Sequence, residues 1–234
     1  YDLSGMGESE WRQAYDVDVR AREARAVAVA AGLADDGRKP ALVCHSYGGS
    51  VGMAAVAQDS DAWSCLVVCD MTMLAPGEAS QFAEYRKERQ ARGARPHRVY
   101  PDFDSARARF RLAPEQPCEN DYLMEYMAHH SLKAVDGGWV WKFDPAILGP
   151  SEERDADWWQ SIAPRFAGLT LPRAIIYGQQ SNMFSPRAAE FVHDQADDFV
   201  PIVEVPDAHH HIMLDQPIAF ATTIDALVQA LTGG

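Results

Sequence analysis

Ser46 is the first residue of this sequence whose setting could make it a nucleophile. It lies in Cys44-His45-Ser46-Tyr47-Gly48-Gly49, between a short apolar run and a stretch rich in glycine and alanine. A strand that turns directly into a helix strains the backbone of such a serine and exposes its hydroxyl, and small residues are needed two positions away. Glycine usually stands two residues before the serine, and here that position holds Cys44. The alternative is a serine that only caps a helix packed on a sheet.

Three consecutive histidines near the C-terminal end could supply the base that a serine nucleophile needs. A hydroxyl attacks a carbonyl at neutral pH only when a base accepts its proton. His209-His210-His211 follow a strand-like run and precede Asp215-Gln216-Pro217. They could instead hold a metal ion, but adjacent side chains should project in different directions, and no second group has ligand-like spacing. We therefore expect neither a metal site nor a cofactor.

Alternating strands and helices should position these groups. Short apolar runs predict strands, and amphipathic or well-capped stretches predict helices. The predicted strands are 41–44, 66–69, 173–177 and 200–205, and the predicted helices are 16–31, the small-residue stretch after Ser46, 186–196 and 216–231. Such β/α units form a mainly parallel sheet flanked by helices, with the ligand site at the carboxyl ends of the strands. Every candidate residue lies at such an end.

The domain organisation predicted from composition is a core with one insertion. Residues 1–70 and 169–234 carry the β/α pattern, whereas 71–168 are rich in arginine, tryptophan and proline and predict a mostly helical cap. The first nine residues resemble the exit of a strand into a glycine-rich turn. We therefore expect the first strands of the fold to be missing from this chain.

Composition narrows the classes of partner. The chain has 234 residues, and acidic residues outnumber basic ones by 13. That negative charge disfavours nucleic acids and anionic lipid. The tryptophans and methionines of the insertion indicate a small-molecule substrate instead. No apolar run is long enough for a membrane span, and the four cysteines include no Cys-x-x-Cys pair. These features predict a cytoplasmic protein with free thiols, and they leave its oligomeric state open.

Three segments together resemble the α/β-hydrolase fold family. Asp2-Leu3-Ser4-Gly5-Met6-Gly7-Glu8-Ser9 is similar to the family's D-x-x-G-x-G-x-S turn, and the Ser46 segment is similar to its nucleophile elbow. The family's catalytic histidine precedes an acidic-Gln-Pro helix start by five residues. Counting back from Asp215 identifies His210, and His209 fills a position often held by glycine. The resemblance covers most of the chain outside the insertion.

The resemblance leaves the third member of the triad open. In much of the family the acid follows the strand that here ends at Gly178, but Gln179-Gln180-Ser181-Asn182 contain no carboxylate. The alternative family position follows the next strand after the elbow helix and holds Asp70. An aspartate there would orient the imidazole and keep the order Ser, Asp, His. Asp144, another carboxylate of the insertion, or a dyad without an acid remain alternatives.

Neighbouring residues receive supporting roles from the same resemblance. The backbone amide of Tyr47 is expected to donate to the oxyanion. The second donor of the family lies upstream of Tyr1, which predicts weak or no activity for this chain alone. His45 is expected to pack and form hydrogen bonds, and Met71 to line either an apolar acyl pocket or the core.

These expectations describe a serine hydrolase of the α/β-hydrolase fold that acts on a small, moderately apolar ester. Ser46 would form an acyl-enzyme, with His210 as the base and Asp70 as its orienting acid. The same machinery could instead support carbon–carbon bond hydrolysis, acyl transfer or perhydrolysis, because a fold does not determine a reaction. A relative that binds a small molecule without catalysis is the remaining alternative.

Overall fold

A computed structural model of the chain describes residues 1–78, 96–148 and 156–233. Among these residues, the strands are β1 Leu42–His45, β2 Leu66–Cys69, β3 Leu132–Val135, β4 Gly138–Trp141, β5 Arg173–Gly178 and β6 Ile202–Val205. The α-helices are α1 Val17–Ala30, α2 Tyr47–Gln58, α3 Phe103–Arg107, α4 Asp121–His130, α5 Ala156–Ala167, α6 Pro186–Gln195, α7 Ile212–Asp215 and α8 Pro217–Thr232. No helix of the described residues has the length and apolar character that crossing a membrane requires.

The described residues form two compact units. The smaller unit contains Tyr1–Tyr15 and residues 96–148, and the larger contains residues 16–78 and 156–233. Both candidate triad partners of Ser46, namely Asp70 and His210, belong to the larger unit together with Ser46 itself. The domain boundaries drawn from the sequence, with an insertion at 71–168, stay a prediction.

The larger unit is built on a parallel four-stranded sheet. Its strand order is β1-β2-β5-β6, and each neighbouring pair runs parallel. Side chains from α1, α2, α5 and α6 pack on one face, and α8 packs on the other. Parallel strands end at one edge, so the loops after β1, β2, β5 and β6 share that edge. The prediction of a parallel sheet flanked by helices is confirmed.

The small residues of α2 let this helix lie close to the sheet. A Cβ atom added at Gly52 would lie 2.6 Å from the Sγ of Cys44 and 3.0 Å from the Cδ1 of Leu66. A side chain at this position would therefore push the helix away from β1 and β2. Because α2 begins directly after Ser46, this close packing also sets the position of the candidate nucleophile.

Local capping signals account for two further helices. The Asp16 carboxylate accepts a hydrogen bond of 2.7 Å from the amide of Val19 at the start of α1. Ser185 does the same for the amide of Ala188, at 3.0 Å, and Pro186 occupies the first turn of α6. Both arrangements satisfy helix amides that have no partner within the helix. α6 starts where the sequence predicts it, and α1 starts one residue after its predicted start.

The prediction that the first strand is buried is wrong for Val43, which is 43% exposed. Its register partner on β2, Val67, is fully buried. The difference arises because α8 packs on β2, β5 and β6, and the apolar cluster beneath it does not include Val43. Val43 therefore lies on the same face as Val67 but outside the area that α8 covers.

Arg173 anchors the start of β5 from inside the larger unit. Its side chain is only 2% exposed and donates hydrogen bonds of 2.7 and 3.2 Å to the two carboxylate oxygens of Asp198. It also donates to the carbonyl of Ala167, at the end of α5. A buried guanidinium needs such partners because desolvation of an unpaired charge is costly.

The smaller unit contains a β-hairpin that was not predicted from the sequence. β3 and β4 pair antiparallel, and Asp136-Gly137 forms the turn between them. Tyr100 adds a bridge to Trp139 on the outer side of the hairpin. Asp-Gly between two apolar runs is a strong hairpin signal, since the turn needs residues that adopt positive φ. Gly137 has a φ of +85°.

Candidate active site

Backbone strain is concentrated at the carboxyl edge of the sheet. In the described part of the chain, three residues other than glycine have a positive φ: Ser46 at 52°, Asp70 at 48° and Asp207 at 53°. They follow β1, β2 and β6 respectively. Non-glycine residues adopt this conformation at an energetic cost that proteins sustain mainly at functional sites.

Ser46 is held in its strained conformation by the sheet and by the first turn of α2. Its amide donates a 2.9 Å hydrogen bond to the carbonyl of Cys69, and its own carbonyl accepts one of 2.9 Å from Gly49. A Cβ atom at Gly49 would lie 2.6 Å from the Sδ of Met71 and 3.0 Å from the Cγ1 of Val68 on β2, so a side chain here would force these neighbours to shift. Strand, single-residue turn and helix thus form the geometry of a nucleophile elbow.

The structure brings His210 and Asp70 together. The Nδ1 of His210 lies 3.4 Å from the Oδ1 of Asp70, and the side chains are 5% and 0% exposed. The separation is longer than a normal hydrogen bond, as is common for catalytic pairs before substrate binds. A proton on Nδ1 directed at Asp70 leaves the lone pair on Nε2 of His210, where a base needs it.

Asp70 is held by two further donors. Its Oδ2 accepts a 3.0 Å hydrogen bond from the amide of Gly178, and its Oδ1 accepts one of 2.7 Å from the hydroxyl of Ser181. The Ser181 oxygen in turn accepts from the amide of Met183 at 3.0 Å, so its hydroxyl proton is directed at Asp70. Ser181, in the loop after β5, was not predicted from the sequence.

Asp144, the alternative acid, is engaged inside the smaller unit. Its Oδ2 accepts a 2.5 Å hydrogen bond from the hydroxyl of Tyr15, and its Oδ1 accepts one of 2.9 Å from the amide of Ala146. Its amide donates to the carbonyl of Gly5, in the glycine-rich turn near the start of the chain. These contacts give Asp144 a structural role in tying residues 1–15 to this unit.

Asp215 organises the loop that carries His210. One of its carboxylate oxygens accepts a 2.7 Å hydrogen bond from the amide of His209 and lies 3.0 Å from the Nδ1 of the same residue. The carboxylate thus fixes the residue directly before His210. This contact gives a physical reason for the acidic residue in the Asp-Gln-Pro segment.

His45 and His211 pack beside His210. The ring centroids of His45 and His210 are 4.6 Å apart, and those of His210 and His211 are 4.9 Å apart. The expectation that adjacent histidine side chains project apart is therefore wrong, because the loop turns both rings toward His45. The Nε2 of His45 donates a 2.9 Å hydrogen bond to the carbonyl of His210. Burial, followed by the neighbouring His210, lowers the pKa of His45 from 6.5 to about 3.

Tyr47 and Met71 directly follow Ser46 and Asp70 in sequence. Tyr47 is the first residue of α2, and its ring packs under the guanidinium of Arg20 at 5.1 Å. Met71 is 3% exposed and belongs to the core of the larger unit. It also lines a cavity of about 250 Å³, whose other lining residues are Val17, Asp18, Ser50, Met53, Ala54, Ile162 and Arg165. Met71 therefore contributes both to the core and to the wall of this cavity.

Solved structures of other proteins share this fold. They include E-2-(acetamidomethylene)succinate hydrolase, with 24% identity, a TM-score of 0.73, and coverage of 97% of this chain and 80% of that protein. The thioesterase domain from the curacin biosynthetic pathway has 18% identity, a TM-score of 0.67, and coverage of 95% and 79%. The esterase Rv0045c from Mycobacterium tuberculosis has 21% identity, a TM-score of 0.71, and coverage of 97% and 73%. At identities below 25%, these matches show that the proteins share the fold of this chain and show nothing about its activity.

Sequence comparison identifies the family directly. No curated protein matches the chain at a significant level. The model of the alpha/beta hydrolase family, however, matches residues 1–223, which include Ser46, Asp70 and His210. With that match over nearly the whole length, and with the strand order and elbow described above, the chain belongs to the alpha/beta hydrolase family.

Proposed function

We propose that the protein is a serine hydrolase that cleaves a small, moderately apolar ester through Ser46, His210 and Asp70. The observation that carries the proposal is the contact of 3.4 Å between the Nδ1 of His210 and the Oδ1 of Asp70. These residues are 140 positions apart in sequence, yet both follow strands at the edge of the sheet where Ser46 forms its strained turn.

The proposed reaction uses each group in one role. His210 accepts the proton of the Ser46 hydroxyl at Nε2 while the oxygen attacks the ester carbonyl. Asp70 stabilises the imidazolium that forms, and the amide of Tyr47 donates to the developing oxyanion. His210 then protonates the leaving alcohol. Water attacks the acyl-enzyme, His210 takes its proton, and the acid product leaves Ser46 free.

The environment of Asp70 favours it as the orienting acid. It is fully buried and accepts hydrogen bonds from Gly178 and Ser181, which stabilise the carboxylate against the cost of desolvation. The loop after β5 contributes these donors and no competing carboxylate. Asp144, by contrast, has both carboxylate oxygens engaged by Tyr15 and Ala146.

The cavity beside Met71 offers space for a small group of the substrate close to the elbow helix, and neither Ser46 nor His210 is part of its wall. Its volume of about 250 Å³ suits a short acyl or alcohol group, and Met53, Ala54 and Ile162 make part of its wall apolar. Ser50, also in the wall, lies one helical turn after Ser46. Asp18 and Arg165 add charge at the same cavity, which favours a group with some polarity.

Covalent labelling by a fluorophosphonate tests the proposed nucleophile. We expect intact-mass measurement to show one adduct on the folded chain, which peptide mapping locates at Ser46 and which Ser46→Ala abolishes. Ser50→Ala is a matched control because Ser50 lies one turn further along the same helix. A folded chain that takes the label at another serine, and not at Ser46, contradicts the proposal.

The acid is tested separately by Asp70→Asn. We expect turnover of a short-chain aryl ester to fall by about 10⁴-fold, because the amide no longer holds the required histidine tautomer. Asp144→Asn serves as the control and should stay within a few-fold of the parent. Unchanged turnover in folded Asp70→Asn removes this residue from the mechanism.

A further inference from the structure

Three imidazoles meet at the candidate active site, and the proposed hydrolysis uses only one of them. His45, His210 and His211 each have a ring nitrogen within 4.8 Å of those of the other two. They come from the strand β1 and from the loop before α7, 165 positions apart in sequence. His210 is buried, while the other two are half-buried.

We propose that a divalent cation of the zinc class binds His45, His210 and His211 and reversibly blocks catalysis. Imidazole is a preferred ligand for Zn²⁺ and its neighbours in the first transition row, and three histidines with an open fourth position form a known kind of zinc site. The inhibitory part of this inference rests on the proposed function, since the cation would occupy the base of the triad.

Polar groups on the far side of two rings favour metal binding: a carboxylate lies beside His210, and a carbonyl accepts a hydrogen bond from His45. Metal-bound histidines usually donate their other N–H to a carboxylate or a backbone carbonyl, which orients the ring and raises its basicity. The Nδ1 of His210 lies 3.4 Å from the Oδ1 of Asp70, and the Nε2 of His45 donates to the carbonyl of His210 at 2.9 Å. The contact that prepares His210 as a base thus prepares it equally as a ligand.

The cluster needs only local movement to close around an ion. With Zn–N distances of about 2.0 to 2.1 Å, tetrahedral geometry places two ligand nitrogens about 3.4 Å apart. The largest separation in the cluster, 4.8 Å, must therefore shrink by about 1.4 Å. Rotation of half-buried imidazoles about their side-chain bonds supplies shifts of this size without moving the backbone.

Binding would remove the catalytic base directly. The lone pair that His210 presents to the Ser46 proton is the one a metal ion would bind. A metal-bound His210 cannot accept that proton, so ester cleavage and attack by a fluorophosphonate should both stop. A chelator would restore them because no covalent bond to the protein is broken.

Binding is measured without reference to activity by titrating Co²⁺ into protein that carries no histidine tag. We expect visible d–d absorption bands that Zn²⁺ displaces. His45→Gln and His211→Gln should each weaken Co²⁺ binding by at least about 100-fold, because each removes a ligand. His130→Gln, which alters an exposed histidine on α4, is the matched control and should bind as the parent does. Bands that persist in both cluster variants overturn the site.

A second measurement avoids variants that fold poorly. Diethyl pyrocarbonate modifies accessible histidines of the parent protein, and mass spectrometry locates the adducts. Saturating Zn²⁺ should protect His45 and His211 while leaving His130 reactive. If Zn²⁺ leaves the extent of modification of His45 and His211 unchanged, the proposal is contradicted.

Inhibition is tested with Zn²⁺ in the ester and fluorophosphonate assays, reversed by excess chelator. If the chain labels at Ser46 but neither binds Co²⁺ nor responds to Zn²⁺, the metal site is overturned and the proposed function stands. If Co²⁺ binds through the cluster but the label in metal-free protein goes to a serine other than Ser46, the proposed function fails and the inhibitory role fails with it.

Discussion

Gly178→Ala should separate the catalytic pair while leaving the fold intact. Gly178 ends β5, and a Cβ atom placed there would lie 2.4 Å from the carbonyl oxygens of both Ala208 and His209. These atoms belong to the backbone that leads directly into His210. Because they are not the ends of flexible side chains, the loop itself must move to accommodate the methyl group.

The contact distances determine how far the two carbonyl groups must move. Ordinary Cβ contacts begin at about 3.4 Å and essentially none are shorter than 3.0 Å, so the carbonyls must retreat by about 0.6 to 1.0 Å. The amide of Gly178 also donates to Asp70, so the movement separates His210 from its acid. A misplacement of about 1 Å costs on the order of 100-fold in rate.

The assay compares kcat/KM for an ester and the rate of fluorophosphonate labelling in Gly178→Ala and in the parent. We expect both to fall about 100-fold, with circular dichroism and a clear melting transition showing that the fold is kept. Gly168→Ala is the control, since the atom nearest to its Cβ would be the carbonyl oxygen of Pro164, at 3.3 Å, near the end of α5. Activity within threefold of the parent in a folded variant refutes this account of the loop.

Three further predictions concern single contacts. Ser181→Ala removes a hydrogen bond to the Asp70 carboxylate and should lower kcat/KM about tenfold, whereas Ser181→Thr should restore most of it; equal activity of both variants argues against a positioning role. Because the pKa of His45 is lowered from 6.5 to about 3, its contribution to stability is complete above pH 6.5 and is lost as the pH falls. By pH 5 the free energy of unfolding should have dropped by about 2 kcal/mol from this group, and urea titrations should show a correspondingly shallower pH dependence for His45→Gln. Asp198→Ala leaves the buried guanidinium of Arg173 without its carboxylate and should reduce the free energy of unfolding by about 2 kcal/mol, measured by the same titrations.

Local sequence predicted the elements that carry the candidate site. The helix from residue 17 begins where Asp16 caps it, and α6 begins where Ser185 and Pro186 predict it. The strands β2 and β5 lie within or next to the predicted runs, because apolar segments without polar alternation belong to buried parallel sheets. Capping, turn and strand signals act over a few residues, so they can be recognised in the sequence without any knowledge of the fold.

Two features of the structure differ from the sequence-based expectations, and only one of them has a local sequence signal. The hairpin of β3 and β4 has its signal in Asp136-Gly137 and was within reach of sequence reasoning. The exposure of Val43 could not be predicted from the sequence. It depends on how far α8 extends across a sheet that distant segments form.

The sequence by itself determined a serine in a strand-to-helix turn, a histidine placed by its distance from Asp-Gln-Pro, and two aspartates that could orient it. Only the tertiary structure showed which of these aspartates lies beside His210. The Oδ1 of Asp70 lies 3.4 Å from the Nδ1 of His210, whereas Asp144 accepts a hydrogen bond from Tyr15. It alone brought the Ser181 hydroxyl to Asp70, across 111 positions. It also placed His45 beside His210, across 165 positions. Contacts over such separations arise from the order of strands in the sheet and from the packing of helices on it, which no short segment encodes.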